Sequence, residues 1–528
     1  LIELFSAVNN EPVTLSSSLE FYCGRRYKMA LPDMKSHLLA CIALAIALGS
    51  GRSAAAAQPN VLFLISDDLN TYLGCYGDPR ARTPHIDRLA ARGVRFDRAY
   101  CAFPLCGPSR NSMLTGLYPN SSGILANAQI FRQTIPSHIS LSQAFRREGW
   151  FAVRIGKLYH YNVPRSIGTD GHDDPGSWEM ELNPAGVDRL EEEPDIFTLT
   201  PGQFGGTLSW YASPKDDAHH TDGRIAAEAE WVLERCARQK DRPFFLAVGF
   251  FRPHTPYVAP RTPYFGWYPE AQMPVRPTVD QNPPEVPAAA LGSYKKEQDK
   301  LTDELRRQCV QAYYASISFM DAQVGRVVAA LDRLGLADNT IVVFTSDHGY
   351  HMGEHGLWQK MSLFEGSARV PLLIVAPGVS SRGAVARSPV SHLDLYPTLA
   401  ELAGVRPPVK LQGQSLVPLL KDPEAKGRGW ALTQVTRGGP AKRFFGYSLR
   451  TPRWRYTEWD QGRAGIELYD HETDPQELAN LAHKAEHAAT VSELRARLRA
   501  AALATFPASG QTPPLKTNFL WAPNLTDP

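Results

Sequence analysis

Two short runs of unbroken apolar residues, Asn60–Ser66 (NVLFLIS) and Thr340–Ser346 (TIVVFTS), each stop at a pair of metal-type ligands, Asp67-Asp68 and Asp347-His348. Runs this short, with no polar alternation, predict strands covered on both faces, as in a parallel sheet. Pro243 to Phe251 has the same character. Elsewhere the pattern turns helical, predicting helices over Ser140 to Gly149, Gly223 to Lys240 and Thr302 to Leu334. Strands alternating with helices argue an α/β fold, a large sheet flanked by helices on both sides. Ligands of such sheets bind beyond the carboxyl ends of the strands, where both acidic pairs fall. The proline-rich stretch Pro253 to Pro287 follows no period and predicts a long ordered loop near the site mouth. Composition breaks near Lys421 to Pro440. Beyond it, Tyr447 to Trp459 and Glu467 to Tyr469 read as antiparallel strands, followed by a helix from Ala489 to Leu503. The expected division is a large domain over 58–436 and a smaller C-terminal domain over 437–528.

At 528 residues and 43% hydrophobic composition the chain can bury a large core. Its formal net charge of +2 gives no electrostatic case for nucleic acid or a membrane surface, so recognition belongs to a pocket. Met34-Lys35, the apolar run Leu38 to Leu48 and Ala54 to Ala57 read as the three parts of a secretory signal over 34–57. The run is too short for a membrane span. Residues 1–33 are then an upstream extension, with Met34 or Met29 as the initiator, and the mature chain is secreted or periplasmic. An oxidising compartment permits disulfides. Cys75, Cys101, Cys106, Cys236 and Cys309 follow the signal; setting Cys106 aside leaves four, in three possible pairings.

The most specific string is C-G-P-S-R-N-S-M-L-T-G, Cys106 to Gly116, followed by G-W-F-A-V-R-I-G-K-L-Y-H, Gly149 to His160. Together they resemble the two signatures of the formylglycine-dependent (type I) sulfatases. E-L-Y-D-H-E-T-D-P-Q-E-L-A-N-L, Glu467 to Leu481, resembles that family's closing segment. The resemblance implies an alkaline-phosphatase-like sulfatase fold: a large, mixed, mostly parallel sheet with a C-terminal antiparallel sheet and helix. It also implies a maturation enzyme, as partner, that oxidises Cys106 to formylglycine. In the family's mechanism one hydroxyl of the aldehyde hydrate attacks sulfur and the second expels sulfate, which a serine with one hydroxyl cannot do.

By the same resemblance, Asp67, Asp68, Asp347 and His348, with the modified Cys106, hold one cation. Hard oxygen ligands suit calcium, although many sulfatases have asparagine at the position of His348, a softer donor. Arg110, four residues after Cys106, shares a helical face with it and holds the hydrate and a carboxylate. Lys157 supplies charge to the sulfate and His160 is the base. His254, in R-P-H-T-P-Y, and Lys360, in G-E-H-G-L-W-Q-K, grip sulfate and serve the leaving oxygen.

S-D-H-G-Y-H-M-G-E-H-G-L-W-Q-K, Ser346 to Lys360, resembles iduronate 2-sulfatases more than arylsulfatases. The expected substrate is therefore a sulfated sugar, first a non-reducing-end uronate 2-sulfate, with His351, His355 and Arg252 as candidates to meet its carboxylate. Another sulfated glycan, choline sulfate, a phosphomonoester or phosphonate ester, and non-catalytic binding of a sulfated glycan stay open as alternatives.

Overall fold

A computed structural model describes residues 58–439 and 442–507, which lie in one compact unit beginning at Gln58. The expected signal and upstream extension, 1–57, lie outside the described residues. The principal strands are β1 (Asn60–Ser66), β2 (Val94–Phe96), β3 (Phe151–Gly156), β4 (Met180–Leu182), β5 (Phe244–Gly249), β6 (Tyr257–Pro260), β7 (Thr340–Ser346), β8 (Leu372–Val375) and β9 (Ala384–Ala386). The strands β10 (Ala431–Arg437), β11 (Phe444–Arg450), β12 (Trp454–Trp459) and β13 (Ile466–Asp470) follow. The helices used below are α1 (Cys106–Thr115), α2 (Leu141–Arg147), α3 (Thr221–Arg238), α4 (Asp303–Arg333) and α5 (Ala488–Leu503).

Eight strands form one sheet in the order β9-β2-β8-β7-β1-β5-β3-β4. It is parallel except where β8 meets β7 and β2. The unbroken apolar runs are explained by what covers them. Along β1, Leu62 and Leu64 enter one core cluster with α3 and α4, while Val61, Phe63 and Ile65 enter the other with α1 and α2. β7 divides in the same way, Val342 and Phe344 against Ile341 and Val343. Both faces are dry, so alternation has no reason to appear.

β1 and β7 are adjacent and parallel in register, Ser66 beside Ser346, so Asp67-Asp68 and Asp347-His348 emerge side by side at one sheet end. This adjacency is the fold's main contribution to the site.

The C-terminal strands make a four-stranded antiparallel meander, β10-β11-β12-β13, packed by α5. Its first strand starts at Ala431, so position 437 is the last residue of β10 and not the start of the small sheet. The strand follows a Pro/Gly/Lys-rich stretch that hides its onset. The stretch 253–287, expected as a long ordered loop, contains a strand: β6 lies at the edge of a three-stranded sheet with Phe197–Thr198 and Ser209–Ser213. An edge position tolerates the Pro260 that argues against a strand. Cys75, Cys101, Cys106, Cys236 and Cys309 are all free thiols.

Candidate active site

Cys106 is the first residue of α1, and the N-cap, Leu105, offers no side-chain cap. The open amide end is served from a distance by Asn127, whose Oδ1 accepts from Gly107 N–H at 2.8 Å. The positive end of the helix dipole therefore bears on the Cys106 side chain, which is buried. Ser109, one turn on, donates to the Asp347 carbonyl. Arg110 crosses beneath: Nε donates to Asp347 Oδ2 at 2.9 Å and Nη2 to Asp67 Oδ1 at 3.1 Å. Its Nη1 donates to the carbonyls of Lys157 and Leu158 at 2.8 and 3.1 Å.

Lys157 is placed by the end of β3. Gly156 turns at φ +69°, and a Cβ there would sit 2.2 Å from the Gly249 carbonyl, so only glycine fits. The Lys157 ammonium then donates to Asp67. Asp68 is a non-glycine residue at φ +62°. Its N–H donates to Asp347 Oδ1 at 3.1 Å and its carbonyl accepts from Tyr313 O–H at 2.7 Å, bonds that hold the strained backbone.

Around the sulfur the groups converge. Lys360 Nζ lies 3.2 Å from Cys106 Sγ and 2.6 Å from Asp68 Oδ1. His348 Nε2 lies 3.3 Å from the same sulfur, 3.4 Å from Asp68 Oδ1 and 3.5 Å from Asp347 Oδ2. Its Nδ1 is 2.9 Å from the Gly349 carbonyl, an arrangement that leaves Nε2 facing the cluster. His160 hydrogen-bonds the sulfur from the opposite loop, and His254 Nε2 stands 3.7 Å from Asp68 Oδ2. All ten sequence-predicted site residues are thus in one constellation, buried except for the half-buried Lys360.

Electrostatically the site is a cage of opposed charges. Burial would raise the Asp67 carboxyl, but Lys157, with His254 and Arg110, holds it well below the usual carboxylate range. Burial would likewise raise the Cys106 thiol, yet Lys360, Lys157 and His348 bring it well below its ordinary value. His348 is raised to about 9 against burial, because Asp347 and Cys106 favour its protonated form. Burial, with Lys157, lowers His160 to about 4, so its imidazole is neutral near pH 7.

The donor set fits a cation. One atom each from Asp68, Cys106, Asp347 and His348 lies within 4.8 Å of the others, and Asp67, Cys106 and His254 form an overlapping set. Asp68 Oδ2 is buried without a hydrogen-bond partner, an atom left over by the protein's own donors. Asp67 is the more committed of the adjacent pair, held by Lys157 and Arg110.

The three candidates for meeting a carboxylate lie elsewhere. Arg252 is buried and ion-paired to Asp188. His351 Nε2 meets Ser362 Oγ at 2.6 Å, and the His355 ring stacks on Phe364 at 3.9 Å. Both histidines line a separate cavity with Tyr72, Arg276 and Glu354. Sequence motifs also gave no signal for Asn127, Tyr313 or His172, whose ring packs 5.4 Å from that of His160. Each is brought in by chain folding from a segment with no spacing relation to the site.

The sulfatase family profile matches residues 59–405, and the N-sulphoglucosamine sulphohydrolase C-terminal profile matches 353–503. A sulfatase of Formosa agariphila is 32% identical over 489 residues, covering 89% of this chain and 90% of its own. The iduronate 2-sulfatase of Mus musculus is 30% identical over 542 residues, covering 86% of this chain and 96% of its own. The crystal structure of a phosphonate monoester hydrolase of Agrobacterium radiobacter superposes with a TM-score of 0.69 at 24% identity, over 85% of this chain and 96% of its own, a likeness of fold. With the family profile over most of the described residues, these relatives spanning nearly the whole chain, and the signature cysteine at the centre of a buried anion-and-cation cage, the chain belongs to the sulfatase family and is a sulfuric ester hydrolase.

Proposed function

We propose that this chain is an exported, formylglycine-dependent exo-sulfatase that removes the 2-sulfate from a uronate at the non-reducing end of a sulfated glycan. The observation that carries the catalytic part is Cys106 Sγ, within 3.3 Å of both Lys360 Nζ and His348 Nε2 and hydrogen-bonded by His160. Formylglycine formed from Cys106 would supply the nucleophile at this position, with Lys360, His348 and His160 around it. Asp68, Asp347 and His348, with Asp67 at the edge, would hold calcium, which would screen the sulfate oxygens and favour the ionised hydrate.

The remaining roles follow from the chain's own groups. Arg110 and Lys157 keep Asp67 ionised and in place. The neutral His160 can accept a proton from the hydrate, since an imidazole that is not already protonated is a base. Lys360 and His254 flank the two oxygens of Asp68 and would serve the sulfate oxygens and the departing alcohol. The uronate assignment rests on the Ser346 to Lys360 stretch and on likeness to iduronate 2-sulfatase over nearly that protein's full length.

The test is a desulfation panel with protein whose Cys106 peptide is shown by mass spectrometry to carry formylglycine. A uronate 2-sulfate should be hydrolysed faster than its carboxyl-reduced counterpart, a sulfated galactose, choline sulfate or an aryl phosphonate. Cys106→Ser, nearly isosteric but unable to form a hydrate, should fold and lose turnover in a host whose maturation enzyme accepts only cysteine. Preferred cleavage of sulfated galactose would end the uronate reading. Full activity of unmodified Cys106→Ser would end the mechanism.

A further inference from the structure

The cations of the catalytic cage are committed: Arg110 and Lys157 to Asp67, Lys360 to Asp68. Arg252 is paired with Asp188 and His351 with Ser362, each keeping one buried nitrogen without a hydrogen-bond partner, and His355 stacks on Phe364. A further cation, with no carboxylate partner among the described residues, stands by the loop that packs on the segments following His160 and His254.

Two histidine-bearing segments pack against the same loop. Gly205 packs so closely on Val163, three residues after His160, that a Cβ would lie 1.8 Å from the Val163 carbonyl. Two residues on, the Thr207 carbonyl accepts from Thr255 Oγ1 at 3.0 Å, and Thr255 directly follows His254. Ser209 N–H donates to the same hydroxyl at 3.2 Å. Gly206 sits between these anchors, and its carbonyl accepts from the Lys295 ammonium. A second latch holds the lysine's segment to the same loop, Thr200 Oγ1 donating to Glu297 Oε2 at 2.9 Å.

Lys295 is half-buried and forms no ion pair among the described residues; its contact is a neutral carbonyl. It lies within the field of the catalytic groups. Burial lowers its ammonium, Glu297 opposes this, Lys360 adds to the lowering and Asp68 counters it. An ammonium with three donors, resting on a neutral carbonyl beside the segments that follow His160 and His254, can turn to an incoming carboxylate without breaking an existing salt bridge.

We infer that Lys295 is a specificity residue: it binds the carboxylate of the sugar whose sulfate enters the Cys106 cage. The inference rests on the uronate reading above and adds the residue that enforces it. A charge-assisted bond of this kind corresponds to a preference of about tenfold or more in kcat/KM.

The experiment measures kcat and KM for a uronate 2-sulfate and its carboxyl-reduced counterpart in the formylglycine-bearing wild type, Lys295→Gln and Lys295→Arg. The expected result is a wild-type preference for the carboxylate substrate that collapses about tenfold in Lys295→Gln, chiefly through KM, and returns in Lys295→Arg. A wild-type preference that survives in Lys295→Gln overturns the role of Lys295 while the uronate reading stands. No wild-type preference for the carboxylate overturns both.

Discussion

Replacing Arg110 by lysine isolates the geometry of the site from its charge. The Arg110 guanidinium is fully buried and serves four acceptors: Asp347 Oδ2 at 2.9 Å, Asp67 Oδ1 at 3.1 Å, and the Lys157 and Leu158 carbonyls at 2.8 and 3.1 Å. A lysine keeps the positive charge but brings one nitrogen, which cannot reach two carboxylates and two carbonyls lying on different sides of the fork. If it keeps the carboxylates, two buried carbonyls lose their donor, at about 1–3 kcal/mol each, or about 2–6 kcal/mol together. Activity should fall further than stability alone explains. Asp67 and Asp347 are aimed by this side chain, and a displacement of about 1 Å in such a constellation lowers turnover about 100-fold. The assay is urea unfolding in excess calcium, paired with kcat/KM on an aryl sulfate. An Arg110→Lys protein within about 0.5 kcal/mol of wild-type stability, or within about twofold of its kcat/KM, would refute the reasoning.

Asp347→Ala is expected to lose bound calcium and activity together, because it removes one of few anionic ligands; elemental analysis showing full calcium occupancy would reassign Asp347. Arg455→Met should destabilise by about 3–5 kcal/mol in urea unfolding, since it strands the buried carboxylates of Glu365 and Glu477; an unchanged midpoint would show that Arg369, Arg450 and His471 suffice. Burial raises the Glu467 carboxyl from 4.5 to about 7, against hydrogen bonds from Trp459 Nε1 and Tyr469 O–H. The native state therefore holds that proton more tightly, and the resulting stability is complete below about pH 4.5 and lost as pH rises through about 7. Glu467→Gln should flatten that part of the profile, read as urea midpoints at about pH 5 and about pH 8; an unchanged slope would place the titration elsewhere.

What the sequence determined by itself was local and chemical. Apolar runs without alternation mark β1 and β7 because both faces of those strands are dry, and their last residues lead into Asp67-Asp68 and Asp347-His348. The strings around Cys106, Lys157, His254 and Lys360 carry chemistry in fixed order, and the fold brings these residues to one point without any being displaced. Boundaries were less legible. β10 follows directly on a Pro/Gly/Lys-rich stretch, and β6 is short, edge-placed and closed by proline, so pairing partners distant in sequence and not local propensity make them strands. Tertiary structure alone decided which cations remain available. Arg252, His351 and His355 look suited to a carboxylate in the string, but packing gives them Asp188, Ser362 and Phe364. Lys295 stands in no motif and is brought near the loops after β3 and β5 only because both close against the segment that holds Gly206. A residue's type is written in the chain, whereas its free valence depends on every neighbour that folding brings within hydrogen-bond reach.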